Sequence, residues 1–589
     1  MHARGFGFVE TVDRRLADVF VPPALLAASR VIDGDLAAAA YVTDARGRLT
    51  ATALALLARR RTRVFGVVDG DRLLPDPFVS PRAFPLLRPR PAERVAVVAT
   101  LDPAGRARVL REVGTPGSAE AATAQALERA DLGRWADDDL AAEAVDDETL
   151  PRRDLTALLA FSVDDPSTRD LDDALSVEPD AGGLIRLYVH VADVASAVPE
   201  GGCLDRRALA LGASLYLPDR VVGMFPTAAV TDRCALVPDE RRRALTVVLD
   251  VDSEGRVVAS DVLASWVRSR ARLSYDDVQA VMTGQASGAE RGWAPDLTAA
   301  VTLLDVVTTR LATARRTRHG FLGEGVSDRD EGHLARASVE EAMLAANAAL
   351  ALWLSHRGAK TLYRARPEPD DGLAALVTAY AESMGVEPHL PEDASWTALE
   401  AVSDLLAHRG VAARDVADVV LRAMPRAHYV PAPAAHSSLG VPAYVHGTSP
   451  LRRRADVEVQ RTVVSLLARR RARARTEADC AAADESLRRA ARVADVARQL
   501  TLAARLRHDP TWTARARVVR VSTRGLYVRV LDHLVSGWVA ATQLGGPRAT
   551  LEGSALVCGS RSYVSGQVVR VRIARTDPRS GTLDFALAE

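Results

Sequence analysis

Five aspartates crowd into the segment Phe161-Ser-Val-Asp-Asp-Pro-Ser-Thr-Arg-Asp-Leu-Asp-Asp-Ala174: Asp164, Asp165, Asp170, Asp172 and Asp173. Carboxylates this close repel one another, and burial sharpens the repulsion. Such a loop is stable when it is solvated or when a divalent cation neutralises it. Hard oxygen donors select magnesium, manganese or calcium over zinc. A calcium loop of the EF-hand type does not fit: Arg169 stands where the turn glycine belongs, and Leu175 where the last glutamate belongs. A solvated acidic turn is the plain alternative. Apolar runs on both sides, Leu158-Leu-Ala-Phe161 among them, favour a loop pinned in a concave site.

Around this loop the chain reads as three blocks. The first ~115 residues carry strand-like runs at 7–9, 18–21, 63–68 and 94–98, broken by Gly, Pro and Asp as in small barrels or sandwiches. Within them, 49–61 reads as a helix. A linker near 114–119 leads to an Ala-rich helical stretch ending about residue 144. From 151 to 508 strand-like runs at 185–191 and 244–250 precede helical periodicity at 297–317, 339–356, 457–476 and 485–506. Alternating strands return at 513–521, 525–530 and 567–573. The layout is β, then a large α/β body, then β, without a repeat of solenoid period.

Bulk composition narrows the function classes. A length of 589 residues allows roughly four domains, and a net charge of zero argues against a generally basic nucleic-acid coat. Lys360 is the sole lysine, so positive charge is arginine, as at 59–61, 452–454 and 469–471. Guanidinium forks suit phosphate, although any single run also reads as a solvated helix face. The cysteines, Cys203, Cys234, Cys480 and Cys558, form no CxxC pair, which excludes a zinc ribbon and argues against a disulfide framework. The N-terminus has no apolar signal core. The longest apolar stretch, 342–354, contains Asn347 and is short for a bilayer span. A cytoplasmic protein without a membrane partner is expected.

The pattern Asp164-(x)5-Asp170-x-Asp172-Asp173-Ala174 resembles the metal-binding signature of the ribonuclease II / ribonuclease R (RNB) exoribonucleases. Four further blocks follow in order: His190-Val-Ala-Asp-Val194; Gly212-Ala-Ser-Leu-Tyr-Leu-Pro218; Glu340-Glu-Ala-Met-Leu-Ala-Ala-Asn347; and Thr448-Ser-Pro-Leu-Arg-Arg453. The resemblance implies a multidomain α+β chain. It would have two N-terminal cold-shock-like OB barrels (1–57 and 58–118), a central α/β RNB catalytic domain with a helical linker (119–508) and a C-terminal S1-type OB barrel (510–589).

It also implies an activity: 3′-to-5′ hydrolysis of single-stranded RNA, processively, to nucleoside 5′-monophosphates with two magnesium ions, manganese being a substitute. Asp164, Asp170 and Asp173 would hold the metals, Asp172 would be the aspartate chemistry depends on, and Arg452 would stabilise charge on the scissile phosphate. Tyr216 would pack at the 3′-terminal nucleotide, and Tyr275 with Glu341 would sense the 2′-hydroxyl, which separates RNA from DNA. Phe6 and Phe8, in Arg4-Gly-Phe-Gly-Phe-Val9, would stack bases. The expected partner is single-stranded RNA, not DNA, bound by a monomer. The sequence departs from the family pattern at Arg454, Gln460 and Ala491, the last where a catalytic-site glutamate is expected, and near Phe321 to Glu324, where a base-clamping phenylalanine has no clear equivalent. An RNB-fold RNA-binding regulator with weak or absent catalysis, and an enzyme acting on single-stranded DNA, remain the rival readings.

Overall fold

The computed structural model describes residues 1–589 except 3, 12–16, 90, 137–149, 320–332, 369–371, 388–401, 403, 407, 410, 412–415, 417–418, 421–423, 545–548, 553–554, 560 and 589. The expected helical stretch up to about residue 144 is seen as Ala119–Arg129 and Gly133–Ala136; its remainder, like Phe321 to Glu324, lies outside the described residues.

Two sheets build the N-terminal region. Strands Gly7–Val9, Val19–Val21, Leu49–Ala58 and Leu36–Thr43 lie side by side in that order, and Phe8 is paired with Phe20. A second, five-stranded sheet is centred on Arg63–Asp69. Among the described residues neither closes into a barrel. The segment expected as a helix over 49–61 is a strand. Leu49–Ala58 pairs along its length with Leu36–Thr43, from Leu36 opposite Ala58 to Thr43 opposite Leu49. Ala and Leu prefer helix by only tenths of a kcal/mol per residue, and a ladder with a neighbouring strand overrides that preference.

The central body is a six-stranded sheet. Its spatial order is Arg153–Asp154, Val257–Ser274, Ala160–Asp164, Asp173–Pro179, Ile185–Ala192 and Arg241–Val251, and the last strand pairs back onto Val257–Ser274. Helices Pro295–His319 and Leu334–Ser355 lie on it and share one core with Phe161, Leu175, Leu187, Leu249, Leu304 and Leu350. Both helices are long and apolar enough to cross a membrane by length and composition; here their apolar sides serve that core. The periodicity over 457–476 resolves into helix Arg454–Leu467, a break at Arg469 with φ of 55°, and helix Glu477–Leu506. The second helix starts at a capping box between Thr476 and Asp479, which satisfies two backbone donors reciprocally. At the C-terminus five strands, Thr513–Ser522 to Thr582–Leu587, close a barrel around Val518, Leu526, Val539 and Phe585. Leu502 and Leu506 of the preceding helix belong to the same core. All four cysteines are free.

Candidate active site

Asp164 ends strand Ala160–Asp164 and Asp173 begins the antiparallel neighbour Asp173–Pro179, so the acidic loop is the connection between two core strands. Arg272 fixes its backbone by donating to the carbonyls of Asp165 (3.1 Å), Pro166 (2.9 Å) and Thr168 (2.6 Å). Leu171 is buried beneath it, and its carbonyl accepts from the Leu236 amide at 3.0 Å. The loop is pinned, not a free turn.

Asp172 is 3 % exposed. Its Oδ1 accepts from the Leu451 amide at 2.7 Å and its Oδ2 from Arg452 Nε at 3.0 Å, while an Arg452 terminal nitrogen reaches Ser449 Oγ at 3.0 Å. Burial pushes the Asp172 carboxyl up to about 7, against the pull of Arg452 and the Leu451 amide. Burial also works against the charge of Arg452, but Asp172, Tyr216 and Asp173 outweigh it and hold the guanidinium above its ordinary value. With both oxygens accepting N–H bonds, the geometry is that of an ionised pair.

The remaining acids are held differently. Burial raises Asp164 to about 6, with Arg272 and Arg452 opposing and Asp165 reinforcing. Burial, then Asp164 and Asp172, raise Asp173 to about 8. Asp170 is raised by burial against Arg452. Asp164 and Asp173 face a cavity of about 730 Å³ whose other acids are Glu340 and Asp484, set against Arg336, Arg364, Arg366, Arg426, Arg452, Arg453 and Arg488. Seven guanidiniums against four carboxylates make a chamber suited to a polyanion.

Asp170 and Asp172 are not on the cavity wall. Among the described residues no three acids, histidines or cysteines converge as a ready-made metal cluster. Two carboxylates with raised pKa values on a shared wall nevertheless fit one magnesium ion, which commonly takes one or two carboxylates and completes its shell with water and substrate phosphate.

The other candidate residues fall into two groups. Tyr275, the first residue of helix Tyr275–Met282, lines the cavity with the Arg336 guanidinium 4.3 Å from its ring centre. Tyr216 is 55 % exposed and lies within the electrostatic reach of Arg452, Asp170 and Asp172. Its loop is stitched to the Arg452 segment: the Ser214 amide donates to the Arg452 carbonyl, and the Arg454 amide to the Gly212 carbonyl, both at 3.0 Å. Gly212, at φ of 77°, lies so close to helix Glu477–Leu506 that a Cβ would come within 2.6 Å of the Ser486 backbone. Only glycine meets both conditions. Phe8, 58 % exposed, packs with Phe6 and Phe20 at ring separations of 5.6–6.1 Å.

Glu341 is a correction. It is buried in an ion pair with Arg315 (2.9 Å) and faces a separate, apolar cavity behind helix Leu334–Ser355. One residue is about 100° of helical turn, and it is Glu340 that shares the cavity with Tyr275. Ala491, the departure from the family pattern on this last long helix, is exposed and off the wall, whereas Asp484, seven residues earlier on the same helical stripe, lines the cavity with Leu487 and Arg488. Asp484 accepts from Arg364 at 2.7 Å and from the Tyr429 amide at 3.0 Å. A stripe at 484, 487 and 488 is readable in the sequence, but its register along the helix is not.

The unusual Gln460 also has a structural account. Its side chain accepts from the amides of Val194 (3.1 Å) and Ala195 (3.2 Å) and donates to the Ala192 carbonyl (2.9 Å); the Ala192 amide in turn holds the Asp172 carbonyl at 2.8 Å. Arg454 is buried between Asp205 (2.9 Å) and Glu458. Sequence reasoning assigned no role to Asn347. Buried in helix Leu334–Ser355, it accepts from the Gly447 amide (2.8 Å) and donates to Thr448 Oγ1 (3.1 Å) and the Tyr444 hydroxyl (3.3 Å). It thereby fixes the loop that delivers Leu451 and Arg452.

Known proteins resemble this chain in sequence and in fold. Ribonuclease R of Aquifex aeolicus is 30% identical over 340 residues, 55% of this chain and 48% of that protein, so the chain spans about half the length of this relative. In fold, ribonuclease R of Mycoplasma genitalium, solved with ribose-methylated single-stranded RNA, matches with a TM-score of 0.77 at 19% identity over 99% of this chain and 98% of that one. Yeast Ssd1, described as a pseudonuclease, matches with a TM-score of 0.60 at 18% identity over 94% and 79%. The RNB domain matches residues 152–469, more than half of the chain, and with the acidic loop and the Arg452 loop meeting inside that span, the chain belongs to the RNB exoribonuclease family.

Proposed function

We propose that this chain is a magnesium-dependent 3′-to-5′ exoribonuclease that hydrolyses single-stranded RNA processively to nucleoside 5′-monophosphates. The observation that carries this reading is the presence of Asp164 and Asp173, with raised pKa values, on the wall of an arginine-lined chamber together with Arg452, which Asp172 holds from behind. In it, Asp164 and Asp173 hold metal, with Asp170 close by for a second ion. Bound magnesium supplies Lewis-acid stabilisation of the phosphate and a more acidic water. Asp172 acts through Arg452: it fixes the guanidinium so that its outer edge meets charge developing on the phosphate. In this reading Tyr275 and Glu340, which line the same cavity, hydrogen-bond a ribose hydroxyl, Tyr216 packs against the 3′-terminal nucleotide, and Phe6 and Phe8, joined by Phe20, stack upstream bases.

The test is release of nucleotide from 5′-labelled single-stranded RNA with magnesium and with chelator, using wild type and Asp172→Asn. The amide would set its NH2 against either the Leu451 N–H or the Arg452 Nε–H, so Arg452 swings away. Turnover is expected to fall by about 10²- to 10³-fold while RNA affinity stays near wild type. Nucleotide release by the variant at the wild-type rate would reject the assignment. A second reading, RNA binding without turnover, draws on the absence of a three-ligand metal cluster among the described residues; metal-independent RNA binding with no product would favour it.

A further inference from the structure

Arg233, Arg241, Arg242 and Arg243 line a second concave site, of about 210 Å³, together with Trp266 and Asp193. Among the described residues it shares no wall with the arginine-lined chamber. Cross-strand pairing in the central sheet assembles it: Arg243 stands opposite Trp266, and Arg241 opposite Arg268. The guanidiniums of Arg241 and Arg243 lie 4.2 and 5.7 Å from the indole centre, and that of the buried Arg152 lies 5.9 Å away. A ring face attracts each of these cations. It does not cancel their charge, and three of them around one indole repel one another.

The carboxylates at hand are committed or remote. Asp193 is buried and spends its oxygens on Arg152, the Ser196 hydroxyl (2.7 Å) and the Ser196 amide (3.1 Å). Asp154 stands 3.8 Å from Arg241 and Glu240 3.9 Å from Arg242; both carboxylates are more than half exposed. Such long, solvated pairs hold little energy. Arg242 gives one terminal nitrogen to the Arg233 carbonyl at 2.8 Å, while its buried Nε meets no acceptor among the described residues. Burial pushes the Cys234 thiol on the same wall up to about 12, so it brings no negative charge. A buried donor without an acceptor is costly, and four guanidiniums around one concavity focus positive potential in a chain whose net charge is zero. A small oxyanion answers both.

We propose that this pocket binds the phosphate group of a small molecule, either inorganic phosphate or a nucleoside monophosphate. Guanidinium forks match phosphate oxygens two at a time. A volume of about 210 Å³ is below that of pockets that bury a whole drug-sized ligand, so a nucleoside attached to the phosphate lies outside it. The neighbouring acids Asp154, Asp232, Asp239 and Glu240 are all exposed and disfavour a passing polynucleotide. The site stands on its own geometry and does not depend on the chain being a nuclease.

Calorimetric titration of the full chain in chelator at low ionic strength, with inorganic phosphate and with adenosine 5′-monophosphate, tests this. Wild type is expected to bind with a Kd of about 1 mM or tighter, and Arg241→Gln and Arg242→Gln each to weaken binding about fivefold or more. Arg242→Lys keeps the charge, loses the fork and falls between. The Arg241 side chain is 49 % exposed, so its variant keeps the fold even if Arg242→Gln, which also gives up the Arg233 carbonyl, does not. Arg452→Ala, in the chamber, is expected to leave the affinity within about twofold. Tighter binding of the nucleotide names it as the source of the phosphate, and equal affinities name the phosphate group alone. Absent binding, binding indifferent to Arg241 and Arg242, or a loss confined to Arg452→Ala overturns the site. An RNA of about 20 nucleotides that loses as much affinity in Arg241→Gln as phosphate does would make the pocket part of an RNA track and reject a small-molecule site. No turnover is read, so a chain that does not cut RNA fails the nuclease reading and leaves this test intact.

Discussion

At the scale of single residues, the site separates carboxylates that face the chamber from one that does not. Asp164 and Asp173 look into it; Asp172 spends both oxygens on Leu451 and Arg452. The four aspartates were legible in the sequence because their spacing is local. What could not be read was which oxygens would be used up, since Leu451 and Arg452 arrive from some 280 positions away. The neighbouring glutamates on helix Leu334–Ser355 give a sharp test. Glu340→Gln is expected to leave stability near wild type and to lower the preference for ribose over 2′-deoxyribose at the 3′ end by about tenfold, the worth of one hydrogen bond. Glu341→Ala is expected to cost roughly 3 kcal/mol of stability by stranding the buried Arg315, with that preference intact. Denaturant melts and kcat/KM ratios on matched RNA and 2′-deoxy-terminated oligonucleotides separate the two, and the reverse pattern would return the ribose-sensing role to Glu341.

At the scale of elements, a few polar side chains turn helices into supports for loops. Asn347 has the strongest claim, with three bonds to the 444–448 loop from a buried helix face. Asn347→Ala removes them without touching the acidic loop. It is expected to lower kcat about tenfold through a looser Arg452, leave KM within about twofold, and lower Tm by about 3 °C. Steady-state kinetics and a thermal melt would check this; an unchanged kcat would show that the loop holds itself. The element misread from sequence, strand Leu49–Ala58, failed for the complementary reason: its partner strand decides its conformation, and Ala-rich composition does not report that partner.

At the scale of the molecule, burying carboxylates together has a cost visible in pH. Asp164 and Asp173 hold protons up to about 6 and 8 when folded, against an ordinary value of 3.8. Between about pH 4 and 8 the native chain therefore binds more protons than the unfolded one through these groups, and their contribution to stability falls as pH rises. Buried His190, His436 and His446, whose pKa values burial depresses, have the opposite slope, losing stability as pH drops through 6.5. A divalent ion isolates the carboxylates, because it binds only their ionised form. Millimolar magnesium is expected to raise Tm by about 3 °C at pH 8 and by little at pH 5. Scanning calorimetry at both pH values is the check, and an equal rise at both would place the ion elsewhere.

The sequence by itself determined the β, α/β, β succession, the acidic loop and the motif residues around it, because periodicity and close spacing are local properties of a chain. Tertiary structure alone decided that Glu340 and not Glu341 enters the chamber, that Asp484 supplies the acid of the last long helix, and that Gln460 and Asn347 brace the two loops meeting at Asp172. Those outcomes depend on helix phase and on contacts between segments hundreds of residues apart. Packing sets both, and no short window of sequence contains either.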